Sequence, residues 1–209
     1  FLARGSDKGR DACIMPRYKM TIEYDGTDFV GWQRQQDGLS VQQVLEEALE
    51  KFTHVQTVVY GAGRTDAGVH AYGQVAHFDL PCSMDAFAMQ GAFNALVRPY
   101  PIGVLKIEEV PDDFHARFSA KERSYIYKIL NRRTPAVLDR NRVWQEGRPL
   151  DEKQMQKAAL LLLGKHDFST FRDSECQAKS PVKTLNEFTI TRRGDYLFCV
   201  VKAKSFLHH

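Results

Sequence analysis

Tyr18-Lys19-Met20-Thr21-Ile22-Glu23-Tyr24 alternates strictly. Tyr18, Met20, Ile22 and Tyr24 fall on one face and Lys19, Thr21 and Glu23 on the other, the pattern of a half-buried strand. Asp25-Gly26 ends it. A helix is predicted from Ser40, because Val41, Val44, Leu45, Ala48, Leu49 and Phe52 recur at helical spacing and Ser40 with Gln43 forms a capping box. Thr57-Val58-Val59-Tyr60 reads as a short strand and Gly73 to Leu80 as another. Met84 to Leu96 reads as a second helix capped by Ser83, and Val104 to Val110 as a strand closed by Pro111.

The order β-α-β-β-α-β is that of the ferredoxin-like unit. Beyond Pro111 the pattern restarts. Arg123 to Leu130 is a strand with Tyr125, Tyr127 and Ile129 on one side. Asp151 to Leu163 is a helix with Met155, Ala158, Ala159 and Leu162 inward, ended by Gly164. Val182 to Thr191 and Tyr196 to Ala203 are strands joined by the turn Arg192-Arg193-Gly194-Asp195. The expected fold class is therefore α+β. It has two ferredoxin-like lobes with antiparallel sheets and helices packed on them, the second lacking its C-terminal helix and strand in this chain. The expected division is an N-terminal extension or cloning scar over 1–14, a first lobe over 15–111 carrying the chemistry, and an incomplete second lobe over 112–209.

The 209 residues, 43% hydrophobic and 26% charged, are ordinary for a globular protein and exclude a disordered or collagenous chain. The apolar run Ala158 to Leu163 is far shorter than the ~20 residues of a membrane span, and the N-terminus lacks the apolar core of a signal peptide, so a soluble protein is expected. Cys13, Cys82, Cys176 and Cys199 are scattered, which fits thiols in a reducing cytoplasm and disfavours a structural zinc site. Net charge is only +3, but Arg117 to Arg148 holds nine basic residues against three acidic ones. That stretch is either a solvated basic face or a surface for a polyanion.

Between two strands of the first lobe lies Gly61-Ala62-Gly63-Arg64-Thr65-Asp66-Ala67-Gly68-Val69-His70-Ala71. It ends in neither the Gly-Lys-Ser/Thr of a phosphate loop nor a helix, so it fits no nucleotide-binding fingerprint. It holds one carboxylate, Asp66, with Arg64 two residues before it. A guanidinium there favours the ionised carboxylate, and an oriented aspartate can act as nucleophile or base. The pair can equally brace a turn. Tyr125 and Tyr127 read by default as core residues of a strand, although an aromatic beside positive charge is also what base stacking on a nucleic acid uses.

Tyr24-Asp25-Gly26 with Gly31-Trp32-Gln33-Arg34-Gln35, and Gly63-Arg64-Thr65-Asp66-Ala67-Gly68-Val69-His70-Ala71, resemble the tRNA pseudouridine synthase A family. So do Phe114-His115-Ala116-Arg117-Phe118-Ser119-Ala120, Tyr125-Ile126-Tyr127 and His166-Asp167-Phe168. The resemblance runs in order from about Tyr18 to His209. It implies a cytoplasmic, homodimeric RNA isomerase that needs no cofactor and no metal. Such an enzyme converts uridine to pseudouridine at positions 38, 39 and 40 of the tRNA anticodon stem-loop.

On this resemblance Asp66 matches the catalytic nucleophile, Arg64 the arginine that pairs with it and helps displace the target base, and Tyr125 the tyrosine that stacks on the uracil. Arg34, Arg117, Arg123 and Lys128 are candidates for RNA binding within or beside the basic stretch. The family continues past Phe206-Leu207-His208-His209 into a further helix, so a truncated chain is expected. That incompleteness motivates the alternative of a non-catalytic RNA-binding module of the same fold. An enzyme acting on free nucleosides is a third reading, and it leaves the basic stretch unused.

Overall fold

The computed structural model describes residues 15–172 and 180–207. The expected extension over 1–14, Cys13, Cys176 and the final His208-His209 lie outside the described residues. The chain is mixed α+β and divides into two compact units, one ending at Ser119 and the other beginning at Ala120.

The first unit runs β1 (Arg17–Tyr24), α1 (Val41–Thr53), β2 (Tyr60–Gly61), β3 (Ala71–Asp79), α2 (Ala86–Leu96), β4 (Ile102–Val110). Its sheet has the order β2-β3-β1-β4, with every neighbour antiparallel. The alternation of β1 does what its sequence predicts. Tyr18, Met20, Ile22 and Tyr24 are buried against Val41, Val44, Leu45, Ala48 and Leu49 of α1 and against Met89 and Phe93 of α2.

Three local details differ from the sequence expectation, each for a tertiary or capping reason. The Ser40 hydroxyl accepts from the Gln43 N–H at 3.2 Å, but the Gln43 amide goes to Glu47 at 2.8 Å. The strand expected over Thr57 to Tyr60 shrinks to Tyr60–Gly61. The α1 side chains take its backbone groups, with Val59 N–H donating to Glu46 Oε1 and Val59 O accepting from Gln42 Nε2. The second helix is capped by Asp85, which accepts from Ala88 N–H at 2.8 Å, and not by Ser83, which lies 3.4 Å from the Tyr18 hydroxyl. A carboxylate is as good a cap as a hydroxyl and also favours the positive end of the helix.

The first unit extends past Pro111 because its open sheet face clamps the segment that follows. Arg17 holds Asp79 through two hydrogen bonds at 2.7 and 2.8 Å and also donates to the carbonyls of Asp112 at 2.5 Å and Phe114 at 2.7 Å. His77, 2% exposed, accepts from Ala116 N–H through Nδ1 at 3.2 Å. Burial first, then the neighbouring His115 and Arg17, pushes the His77 imidazole down to about 4, with Asp79 opposing.

A histidine whose folded pKa is depressed is neutral in the fold and protonates more readily when unfolded. Its contribution is therefore complete above pH 6.5 and is lost as pH falls toward 4. We expect an acid loss of about 2 kcal/mol across that window, or roughly 5 °C in Tm. His77→Gln should flatten it, as read by thermal melts at successive pH values. A wild-type Tm that is level from pH 6.5 to 4 would contradict this assignment.

The second unit runs β5 (Arg123–Leu130), β6 (Trp144–Gln145), α3 (Glu152–Leu160), β7 (Gly164–Asp167), β8 (Val182–Arg193), β9 (Tyr196–Ala203), with a 3-10 turn at Ser169–Phe171. The sheet order is β6-β5-β9-β8-β7. Strands β6 and β7 were not expected. Strand β6 pairs parallel with Ile129 and Leu130, and Asn131 pins it by donating to the carbonyls of Glu146 and Arg148 at 2.9 and 2.7 Å. The helix expected to reach Leu163 stops at Leu160, and Gly164, at φ +91°, begins β7 instead. Of its expected inward residues, Ala159 is buried and Met155 packs on a small core of Ile129, Leu197 and Cys199, whereas Ala158 faces solvent and Leu162, beyond the helix end, is half-buried.

Candidate active site

Strands β2 and β3 are joined by the loop that carries Arg64 and Asp66, and residues 25–32 grip this loop from one side. The grip centres on Thr65. Its carbonyl accepts from Trp32 N–H at 3.0 Å, and its hydroxyl lies 2.8 Å from the hydroxyl of Tyr24, the last residue of β1. Gly68 N–H donates to Phe29 O at 3.3 Å, and Gly26 N–H donates to His70 Nδ1 at 3.0 Å. His70 Nδ1 is also 3.0 Å from Asp25 Oδ1.

Glycine is required where the two loops meet. A Cβ on Gly26 would lie 2.0 Å from Val69 O, and one on Gly31, at φ +114°, would lie 2.5 Å from Thr65 O. On Gly61 it would strike the Trp32 indole at 2.6 Å.

The gripping loop is itself anchored on α1. Val41 N–H and Gln42 N–H, which have no partner inside the helix, donate to the carbonyls of Gly31 at 3.2 Å and Trp32 at 3.0 Å. Trp32 is buried beneath. A continuous mechanical path thus runs from the hydrophobic core through α1 and residues 31–32 to Thr65. Thr65 is held on both its side chain and its carbonyl, whereas Arg64 and Asp66 on either side of it are exposed. Asp66 O accepts from Val69 N–H at 3.2 Å, closing the turn. The result is a carboxylate and a guanidinium presented to solvent from a backbone fixed between them.

The remaining sequence candidates lie apart from this loop in the chain. Arg34 donates to Glu46 Oε2 at 3.2 Å on α1 and keeps a largely exposed guanidinium. Arg117 sits beside the Phe118 ring at 5.8 Å in the first unit. Arg123, Tyr125 and Lys128 belong to β5 in the second unit. Arg123 donates to Lys204 O at 2.5 Å, and Tyr125, 40% exposed, meets Phe206 edge-on at 4.9 Å.

Tyr24, Gly26, Gly31 and Phe118 were not singled out as functional from sequence. The sequence signal for all four is that they fall inside the blocks that carry the family resemblance, which assigns none of them a role. Among the described residues no group of three or more His, Cys, Asp or Glu is placed to hold a metal ion, and no helix is long and apolar enough to cross a membrane.

The sequence that builds this geometry matches a known family. The tRNA pseudouridine synthase profile matches residues 20–119 and 158–209, which includes the gripped loop and leaves out β5 and its Tyr125. The chain is 55% identical over 195 residues to the tRNA pseudouridine synthase A of Rhodospirillum rubrum, covering 93% of this chain and 70% of that protein. It is 53% identical over 195 residues to that of Parvibaculum lavamentivorans and 56% identical over 194 residues to that of Afipia carboxidovorans, with 93% of this chain and 79% of the relative covered in each case. Identity at this level across nearly the whole chain, joined to a profile that runs unbroken through the Thr65 grip, makes the chain a member of the tRNA pseudouridine synthase family.

Proposed function

We propose that this chain isomerises uridine to pseudouridine in the anticodon stem-loop of tRNA, at positions 38, 39 and 40. The bond between C1′ and uracil N1 breaks, a bond between C1′ and uracil C5 forms, C5 loses a proton and N1 gains one. The net composition is unchanged, so the reaction calls for no redox partner or cofactor. Asp66 acts as nucleophile, and Arg64 pairs with it and occupies space left by the displaced base. Tyr125 stacks on the uracil. A duplex base must leave the stack before its glycosidic bond can be reached, which costs a few kcal/mol, and a guanidinium filling the gap offsets part of that cost. Arg34, Arg117, Arg123 and Lys128 meet phosphates, so binding weakens as salt rises.

Two features support a ferredoxin-like reading of the first lobe: its element order and its strand order β2-β3-β1-β4. The second lobe follows the same plan through β5, α3, β8 and β9. The working form is a homodimer in the cytoplasm.

The observation that carries the reading is an exposed Arg64–Thr65–Asp66 loop immobilised through Thr65, which is what a nucleophile with a fixed line of attack requires. The test is tritium release from tRNA transcripts carrying [5-³H]uridine. Release to water by wild type, abolished in Asp66→Ala, supports it. Binding of tRNA without release would favour the non-catalytic module, and turnover of free uridine would favour the nucleoside enzyme.

The Tyr24 hydroxyl gives a finer check on the same geometry. Tyr24→Phe removes the hydrogen bond to Thr65 while leaving the ring, so stability should drop by only about 1 kcal/mol. The kcat should fall roughly tenfold through loss of orientation. Thr65→Ser, which keeps the hydroxyl, should retain most of the rate where Thr65→Val does not. Equal rates for the Ser and Val variants would remove Tyr24 from this role.

A further inference from the structure

We infer that Phe118 is a stacking platform for an unpaired base of the RNA substrate, a base other than the uridine undergoing reaction; this rests on the activity proposed above. Phe118 is 74% exposed, yet it is held in place. Its ring lies 4.4 Å from the His115 ring. His115 lies 4.6 Å from the buried His77, and His77 stacks on Tyr60 at 5.1 Å and 23°. Four rings therefore form one column of contacts, stacked at Tyr60–His77 and tilted by 58° and 40° at the next two steps, with exposed rings, Tyr60 on β2 and Phe118, at its two ends.

The backbone beneath the last ring is fixed as well. Ser119 N–H donates to His115 O at 2.8 Å, His115 N–H to Ser119 Oγ at 2.9 Å, and Arg117 N–H to His115 Nδ1 at 3.2 Å. Ala116 is buried and tied to His77, and Arg17 holds the carbonyls of Asp112 and Phe114.

A single exposed apolar side chain on a protein surface is common and by itself implies nothing. Phe118 differs in two respects. The ring is pre-ordered, so a partner that covers it does not have to freeze it first. A cation also adjoins it: the Arg117 guanidinium lies 5.8 Å from the ring centroid. A pre-ordered π-face with a guanidinium at its side matches a nucleobase attached to its phosphates better than an apolar protein surface. Stacking is also tolerant of base identity, as suits a contact that binds without selecting.

The test compares Phe118→Ala, Phe118→Leu and Phe118→Trp with wild type, using an unmodified tRNA transcript and thermal melts to confirm folding. Alanine and leucine should each weaken tRNA binding about tenfold and raise KM in parallel, because leucine keeps the apolar bulk but has no π-face. Tryptophan should restore affinity, and its emission should be quenched by tRNA beyond the change seen in wild type. Phe118→Ala should leave the salt dependence of binding as in wild type, whereas Arg117→Ala should lower the slope of log K against log salt by about 1.

Affinity in the alanine variant within twofold of wild type would overturn the proposal. So would a leucine variant as tight as wild type, unquenched tryptophan emission, or a leucine-sensitive change in self-association in place of tRNA binding. Because affinity is read without turnover, a wild-type enzyme that binds tRNA but releases no tritium would sink the activity reading while leaving Phe118 under test.

Discussion

Asp66→Asn should lower the single-turnover rate of isomerisation by at least about 10³-fold, with tRNA affinity and Tm close to wild type. The substitution is nearly isosteric, and the contacts that hold Thr65 are made by other residues. Thr65 is held by Tyr24 and Trp32, and the turn is closed by the backbone of residue 66, whose carbonyl accepts from Val69 N–H. All of these survive the change. What is lost is the negative charge and the nucleophilic oxygen, and an amide is no substitute for a carboxylate at a reacting carbon. The variant therefore separates chemistry from architecture. Tritium release measured with enzyme in excess over tRNA excludes product release from the reading. Release within tenfold of wild type would remove Asp66 from the nucleophile's role, and a large fall in Tm would assign the carboxylate to bracing the turn.

Arg64 offers a companion comparison. Lysine there keeps the charge but loses the planar fork that can both meet a carboxylate and lie flat where a base has left. Arg64→Lys should therefore recover little of the rate lost in Arg64→Ala.

The parts of this structure that could be read from sequence are those in which one element's own pattern decides its state. The alternation of β1 and the helical spacing of α1 each identify a buried face, and both faces meet in the core as the pattern requires. The elements that escaped are decided by partners far along the chain. Strand β6 is two residues long and exists because Ile129, Leu130 and Asn131 hold it. Strand β2 is cut short because Gln42 and Glu46, on a helix, satisfy the backbone of Val59.

The same division runs through the site. Arg64 and Asp66 stand out because three glycines surround the only carboxylate in their loop. The supports do not stand out. The Tyr24–Thr65 hydrogen bond joins residues 41 positions apart, and the column from Tyr60 to Phe118 joins a short strand to a segment beyond β4. A tyrosine that ends an amphipathic strand reads as core, and this one is core at its ring and functional only at its hydroxyl.

Gly26→Ala should be the most damaging substitution outside the reacting residues, and its cause is purely steric. Gly26 does not need a left-handed backbone; what it needs is the absence of a Cβ. That atom would stand 2.0 Å from Val69 O, 2.6 Å from Val69 C and 3.1 Å from Val69 N. All three are backbone atoms, so no rotamer change relieves the contact. Residues 25–32 and the Asp66 loop must move apart by about 1 Å before ordinary contact distances return. Separation on that scale disrupts the Gly26 N–H bond to His70 and shifts Thr65, and with it the line along which Asp66 attacks.

A misplacement of about 1 Å at a reacting group costs roughly 10²-fold in rate, and overpacking of this kind destabilises by about 1–3 kcal/mol. Gly68→Ala is the control within the same loop. Gly68 sits at φ +77°, and a Cβ there would have nothing within 4 Å, so alanine meets conformational strain of about 1 kcal/mol but no collision. If the grip on Thr65 is what aims Asp66, Gly26→Ala must lose far more kcat/KM than Gly68→Ala at comparable Tm. Similar losses in the two variants would mean that the loop's orientation does not depend on the contact with residues 25–32.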